Sequence, residues 1–206
     1  MSQIDMWEIE NRHFAEGIRI ICGVDEAGRG PLCGPVFAAA CILPDGLVLE
    51  GLNDSKKLTP KKRDKLFDLI CENAIAFCIA SASVEEINEL NILEADLLAM
   101  RRAIDGLSVK ADFALIDGNI ARGFQIPARS VIGGDAKSPS IAAASILAKV
   151  ARDRDCIALD EQYPQYGIAK HKGYGTKQHM DALRTYGPSP IHRKQFIRFL
   201  DKDATK

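Results

Sequence analysis

Apolar and polar positions along this chain fall into two kinds of run. Short, nearly unbroken apolar stretches occur at 18–28 (IRIICGVDEAG), 35–44 (PVFAAACILP), 76–84 (AFCIASASV) and 111–119 (ADFALIDGN). They are bounded by Gly, Pro, Asp or Asn and predict strands, the fourth apolar enough to be buried on both faces. IPARSVIGGDAKS (126–138) offers a fifth strand and a turn. The first two are separated by a Gly/Pro turn too short for a crossover helix, so they should be antiparallel neighbours. Helical spacing appears at 3–15, after Thr59, across 84–107 as one or two helices, and from Ser138 to Tyr163. Thr59 followed by Pro60 and Ser138 followed by Pro139 are start signals, a hydroxyl N-cap with proline in the first helical position. Strands alternating with helices predict an α/β class with a mixed sheet and a C-terminal flank of short basic helices.

Composition narrows this without naming a chemistry. The 206 residues are 47% hydrophobic and 27% charged with net charge −1, enough for one domain with a real core. We expect residues 1–160 to form the main α/β domain and 161–206 a loop and helical flank packed as part of it. Residues 149–206 carry 12 Lys+Arg against 7 Asp+Glu, so the basic charge is concentrated near the C-terminus. The six cysteines include no CxxC pair and mostly sit in apolar runs, which predicts reduced, buried thiols. The first residues are polar and amphipathic, unlike a signal peptide, and no run approaches about 18 apolar residues. A cytoplasmic protein without a membrane span is expected.

Four acids stand at strand ends or before a helix: Asp25 and Glu26, Asp117, and Asp135. Each could be a local turn-former. Converging carboxylates, however, would repel one another unless a divalent cation neutralised them, and hard oxygen donors suit Mg²⁺ or Mn²⁺. Successive strand residues face opposite sides, so Asp25 and Glu26 should share one metal site only if the strand breaks at Glu26. Asp153 lies 15 residues beyond Ser138, roughly 20 Å along that helix. It should be structural, paired with an arginine. The turn Gly28-Arg29-Gly30 is not a dinucleotide fingerprint, since Cys33 stands where a third glycine belongs and a strand follows. Its backbone can approach a ligand closely, with one guanidinium available for phosphate. Half of the cations between Lys56 and Lys65 should form a solvated helix face, while Lys56 and Lys57 precede the cap and could meet phosphates. Tyr174, between two glycines, is free to stack on a sugar or base. His171, His179 and His192 lie away from the acids and are not expected to bind metal.

The segments GVDEAGRGPLCGPV, LNDSKKLTPKKR, IDGN, GGDAKSPSIAAASILAKVARD and HKGYGT, in that order, resemble the bacterial ribonuclease HII family, the type 2 ribonucleases H. The resemblance runs from about residue 20 to residue 195. It implies a ribonuclease H-like fold, a mixed five-stranded sheet flanked by helices with a C-terminal helical extension. It implies cleavage of the RNA strand of RNA–DNA hybrids and incision 5′ of ribonucleotides embedded in duplex DNA, leaving 3′-hydroxyl and 5′-phosphate ends. It carries the two-metal role to Asp25, Glu26, Asp117 and Asp135, with Mg²⁺ or Mn²⁺ as cofactor. It gives recognition of the ribose 2′-hydroxyl to Gly28, Arg29 and Gly30, and stacking at the RNA–DNA junction to Tyr174. Lys56 joins the substrate-binding set, and a monomer is expected. Two departures are visible: Cys33 where alanine is usual, and HRKQF (192–196) where the motif reads closer to H-R-R-S-F. A junction-specific DNA nuclease on the same fold, or a non-catalytic binding module, would be the rival readings.

Overall fold

The computed structural model describes residues 5–52 and 58–203; Lys56 and Lys57 lie outside that range. Five strands form one sheet: β1 (Ile21–Ala27), β2 (Val36–Ile42), β3 (Ala76–Ala82), β4 (Phe113–Asp117) and β5 (Ala128–Val131). Their order is β3-β2-β1-β4-β5. β1 pairs antiparallel with β2, and β2 with β3, while β1/β4 and β4/β5 are parallel. The mixed sheet follows from the connections: the Gly/Pro turn forces the β1–β2 hairpin, helices lie between β1 and its parallel partner β4, and β4 reaches parallel β5 through the helix-free segment 118–127.

The helices are α1 (Glu8–Ala15), α2 (Pro60–Asn73), α3 (Val84–Leu90), α4 (Ile92–Asp105), α5 (Pro139–Gln162), α6 (Ile168–His171), α7 (Lys177–Tyr186) and α8 (Phe199–Asp203). Thr59 and Ser138 cap α2 and α5 by accepting from Lys62 N and Ile141 N, as their hydroxyls predict. The 84–107 segment is two helices. Asn91, at φ 76°, ends α3 and caps α4 by accepting from Leu93 N and Glu94 N.

Period-2 alternation divides the sheet between two cores. Cys22, Val24, Ala38 and Ala40 face α4, whereas Ala27, Ala39 and Cys41 face α2 and α5. α5 lies unusually close to β1. A Cβ on Gly23 would sit 2.1 Å from Ser140 C and 2.2 Å from Ile141 N, so only glycine admits this approach. A third cluster, including Cys33, Cys156, Tyr166, Ile168 and Leu183, ties the C-terminal helices to α5 and to the loop after β1. All six cysteines are free thiols.

One expectation is corrected. β1 does not break at Glu26; Glu26 and Ala27 remain paired with Ala38 and Phe37 of β2. The change occurs on the other edge, where the β1/β4 ladder ends at Val24–Ile116. β2 holds the strand extended beyond the point where β4 stops, so the seam opens beside Asp25 and not through a bend.

Candidate active site

That open seam is the head of a cleft of about 380 Å³ whose walls include Asp25, Glu26, Gly28, Arg29, Gly30, Asp117 and Tyr174. Asp25 faces α5 and is buried, 4% exposed. Burial, then the charges of Glu26 and Asp117, push its carboxyl well above the usual range, although Ser145 and the Glu26 amide donate to it. Asp117 ends β4 and accepts at Oδ1 from Gly134 N, 2.7 Å away. Asp135 follows Gly134 in a short 3₁₀ turn and is buried. It is not among the side chains lining the cleft; its link to the site is the Gly134–Asp117 hydrogen bond.

Glu26 faces the α4 side, as its unbroken strand requires. Arg29 folds back over it, Nη1 lying 3.4 Å from Glu26 Oε1 and Nε 3.4 Å from Asp96 Oδ2. Asp96 is buried on α4, and burial together with Glu26 raises its carboxyl to about 8 despite Arg29 and Arg193. Asp96 was not singled out from sequence. Its signal was available: it shares the apolar stripe of Ala99, Met100 and Ala103, where a charge is out of place.

The turn itself depends on Gly28, at φ 104°, where a Cβ would meet Arg152 Nε at 2.2 Å. Arg152 is 2% exposed and donates from Nη2 to Lys172 O at 2.7 Å; its Nε and Nη1 have no partner among the described residues. With Lys149, also on α5, it supplies cations to the cleft lining. Tyr174 is 47% exposed, and its Cε1 lies 3.4 Å from where a Gly30 Cβ would stand. The aromatic edge therefore stands beside the turn, where a side chain at position 30 would touch it.

Asp153 is structural, as expected. It accepts from Arg63 Nη1 at 3.0 Å and from Lys149 Nζ at 2.6 Å. Arg63, one of the cations assigned to a solvated run, is instead buried and also donates to Leu58 O. His171, His179 and His192 stand outside the acidic cleft. Cys33, His179 and His192 do bring ligand-type atoms within 4.8 Å of one another. The two imidazoles satisfy each other at 3.1 Å, and the Arg152 and Arg193 guanidinia act on the Cys33 thiol, an unfavourable field for a dication. The acidic cleft is the opposite case. Buried Asp25 sits in the field of Glu26 and Asp117, the three offer oxygen donors, and a hard divalent cation would relieve their repulsion.

Comparison with known proteins bears on the same residues. The family model "Ribonuclease HII" matches residues 22–199. The ribonuclease HII of an Azoarcus species is 57% identical over 182 residues, covering 88% of this chain and 89% of that one. Among solved structures, ribonuclease H2 from Pyrococcus horikoshii superposes with a TM-score of 0.75 at 27% identity, covering 91% of this chain and all of the other. A Bst-RNase HIII described in complex with Mn²⁺ gives a TM-score of 0.67 at 17% identity, over 88% of this chain and 64% of the other, a likeness of fold.

Proposed function

The chain belongs to the ribonuclease HII family, hydrolases that cut the RNA strand of RNA–DNA hybrids, and from that premise we propose that it also incises duplex DNA 5′ of single embedded ribonucleotides. The observation that carries the proposal is the placement of the Tyr174 ring beside the glycine turn in the cleft that holds Asp25, Glu26 and Asp117. A ribose read by the turn would have its own phosphate at the carboxylates and the next sugar against the tyrosine.

Asp25, Glu26, Asp117 and Asp135 are the residues that would hold two divalent ions, Mg²⁺ or Mn²⁺, which when bound supply an activated water and neutralise the leaving 3′-oxygen. The remaining work falls to the chain. Gly28 and Gly30 leave no Cβ to block a sugar, and backbone groups there suit hydrogen bonds to the 2′-hydroxyl, the group that separates RNA from DNA. Glu26 and Asp96 hold the Arg29 guanidinium at Nη1 and Nε while its half-exposed remainder meets the strand. Lys149 and Arg152 face the negative backbone, and Lys56 adds a phosphate contact outside the described residues. Tyr174 packs on the deoxyribose beyond the junction, where a missing 2′-hydroxyl lets the ring close. Every group in this scheme comes from one chain, with residues 161–206 as the flank of a single unit, and a monomer suffices.

Asp25→Asn tests the carboxylate assignment. Cleavage of a duplex with one ribonucleotide should fall below detection in Mg²⁺, while folding and affinity for the uncut duplex persist. Cleavage retained by this variant in Mg²⁺ contradicts the assignment.

A further inference from the structure

Arg193 is fully buried, yet it makes no salt bridge to a carboxylate among the described residues. All five of its N–H donors go to main-chain carbonyls of residues 28–35. Nε donates to Gly34 O at 2.9 Å, and Nη1 to Arg29 O at 3.0 Å and Pro31 O at 2.9 Å. Nη2 donates to Gly28 O at 2.7 Å and Pro35 O at 3.1 Å. The planar guanidinium thus pins the glycine turn from beneath, at a desolvation cost that only full pairing makes tolerable.

The preceding residue reaches the other recognition element. His179 Nδ1 lies 3.1 Å from the Tyr174 carbonyl, which can only accept, so Nδ1 carries the proton and Nε2 the lone pair. His192 Nε2, 3.1 Å from that lone pair, must then donate. Its Nδ1 is left to accept from Ser189 N at 3.1 Å. A single chain of neutral imidazoles therefore runs from His192 to the backbone of Tyr174. Main-chain bonds stitch the same pieces together: Leu32 N to Gly173 O at 2.8 Å, Arg193 N to Leu32 O at 2.8 Å, and Gly34 N to Ile191 O at 2.9 Å.

We propose that the adjacent pair His192–Arg193 is a positioning device that locks the Gly28–Arg29–Gly30 turn and Tyr174 into one fixed relation, so that the C-terminal segment sets the cleft's selectivity for an embedded ribonucleotide. This rests on the reading that the turn senses ribose and Tyr174 the junction. A cleft that discriminates by one hydroxyl needs its donors and its stacking ring held within a fraction of an ångström, and neither element is rigid alone. His192 and Arg193 touch no substrate; they act through the groups that do.

The test is a double-mutant cycle of His192→Phe and Tyr174→Ala, read as kcat/KM for incision at a single ribonucleotide and on a long hybrid. His192→Phe alone should lower single-ribonucleotide incision about tenfold, with a much smaller loss on the hybrid, and should cost almost nothing further once Tyr174 is alanine. His192→Gln, which keeps an N–H donor, should recover most of the loss. Arg193→Lys, folded by thermal melting, should lower kcat/KM on both ribose-containing substrates about tenfold while leaving affinity for all-DNA duplex unchanged. Should Arg193→Lys fail to fold, the His192 cycle decides alone. Additive losses in the cycle, equal on both substrates, overturn the positioning role. An inert Tyr174→Ala instead overturns the premise, and the two failures are told apart by that single variant.

Discussion

Asp25 and Glu26 are adjacent in sequence and point to opposite sides of the sheet, yet both line one cleft because β4 ends before they do. Their place was legible from residue type and position: acids at the mouths of apolar strands. The groups that support them were not. Arg193 reaches carbonyls more than 150 positions away in sequence, and the orphaned donors of Arg152 depend on where Gly28 packs. Such pairings carry no local signal, whereas Asp96 left one as a charge in an apolar helical stripe. Tyr174 was legible only as an available ring; the structure adds that it stands beside Gly30. Tyr174→Ala should therefore lower kcat/KM for junction incision by about ten- to a hundredfold, one lost stacking contact, with a smaller change in duplex affinity. Steady-state kinetics on a singly substituted duplex checks this, and unchanged incision removes the stacking role.

Elements whose limits are set locally were the easiest to anticipate. Thr59 and Ser138 cap the helices they were expected to cap, because a hydroxyl before proline specifies a start without reference to the rest of the fold. The break considered at Glu26 does not occur, because the shape of the strand end is decided by its neighbours: β2 keeps pairing through Ala27 while the β4 ladder stops at Val24. Close packing of α5 on β1 was equally invisible, since Gly23 looked like any strand glycine. Gly23→Ala would force a methyl into the Ser140–Ile141 backbone and push α5, which carries Ser145, Lys149 and Arg152, away from the cleft. Denaturant unfolding should show a loss of roughly 2–3 kcal/mol, the usual penalty of overpacking, together with weaker cleavage. A variant of wild-type stability would mean that the helix yields freely there.

At the scale of the whole molecule, acids and cations line one cleft together, and basic residues outnumber acidic ones along the C-terminal flank. Among the described residues no helix is long and apolar enough to cross a membrane. The buried groups make stability depend on pH in two opposed ways. Asp96, raised from 3.8 to about 8, binds its proton more tightly when folded, so its contribution is full below about pH 4 and is lost as pH rises toward 8. His192, lowered from 6.5 to about 4, contributes fully above 6.5 and loses that contribution as pH falls toward 4. Thermal melts of metal-free protein at pH 5 and pH 8 should therefore show Asp96→Asn gaining on the wild type at the higher pH; a constant difference would show that Asp96 does not titrate in the fold. The central claim, that ribose recognition and carboxylate chemistry share one cleft, is tested most directly by cleavage of two duplexes of identical sequence. One carries a single ribonucleotide and the other is all DNA, each assayed with Mg²⁺, with Mn²⁺ and with chelator. The account predicts incision 5′ of the ribonucleotide with either metal, none with chelator and none on the all-DNA duplex; equal cleavage of both duplexes would contradict it.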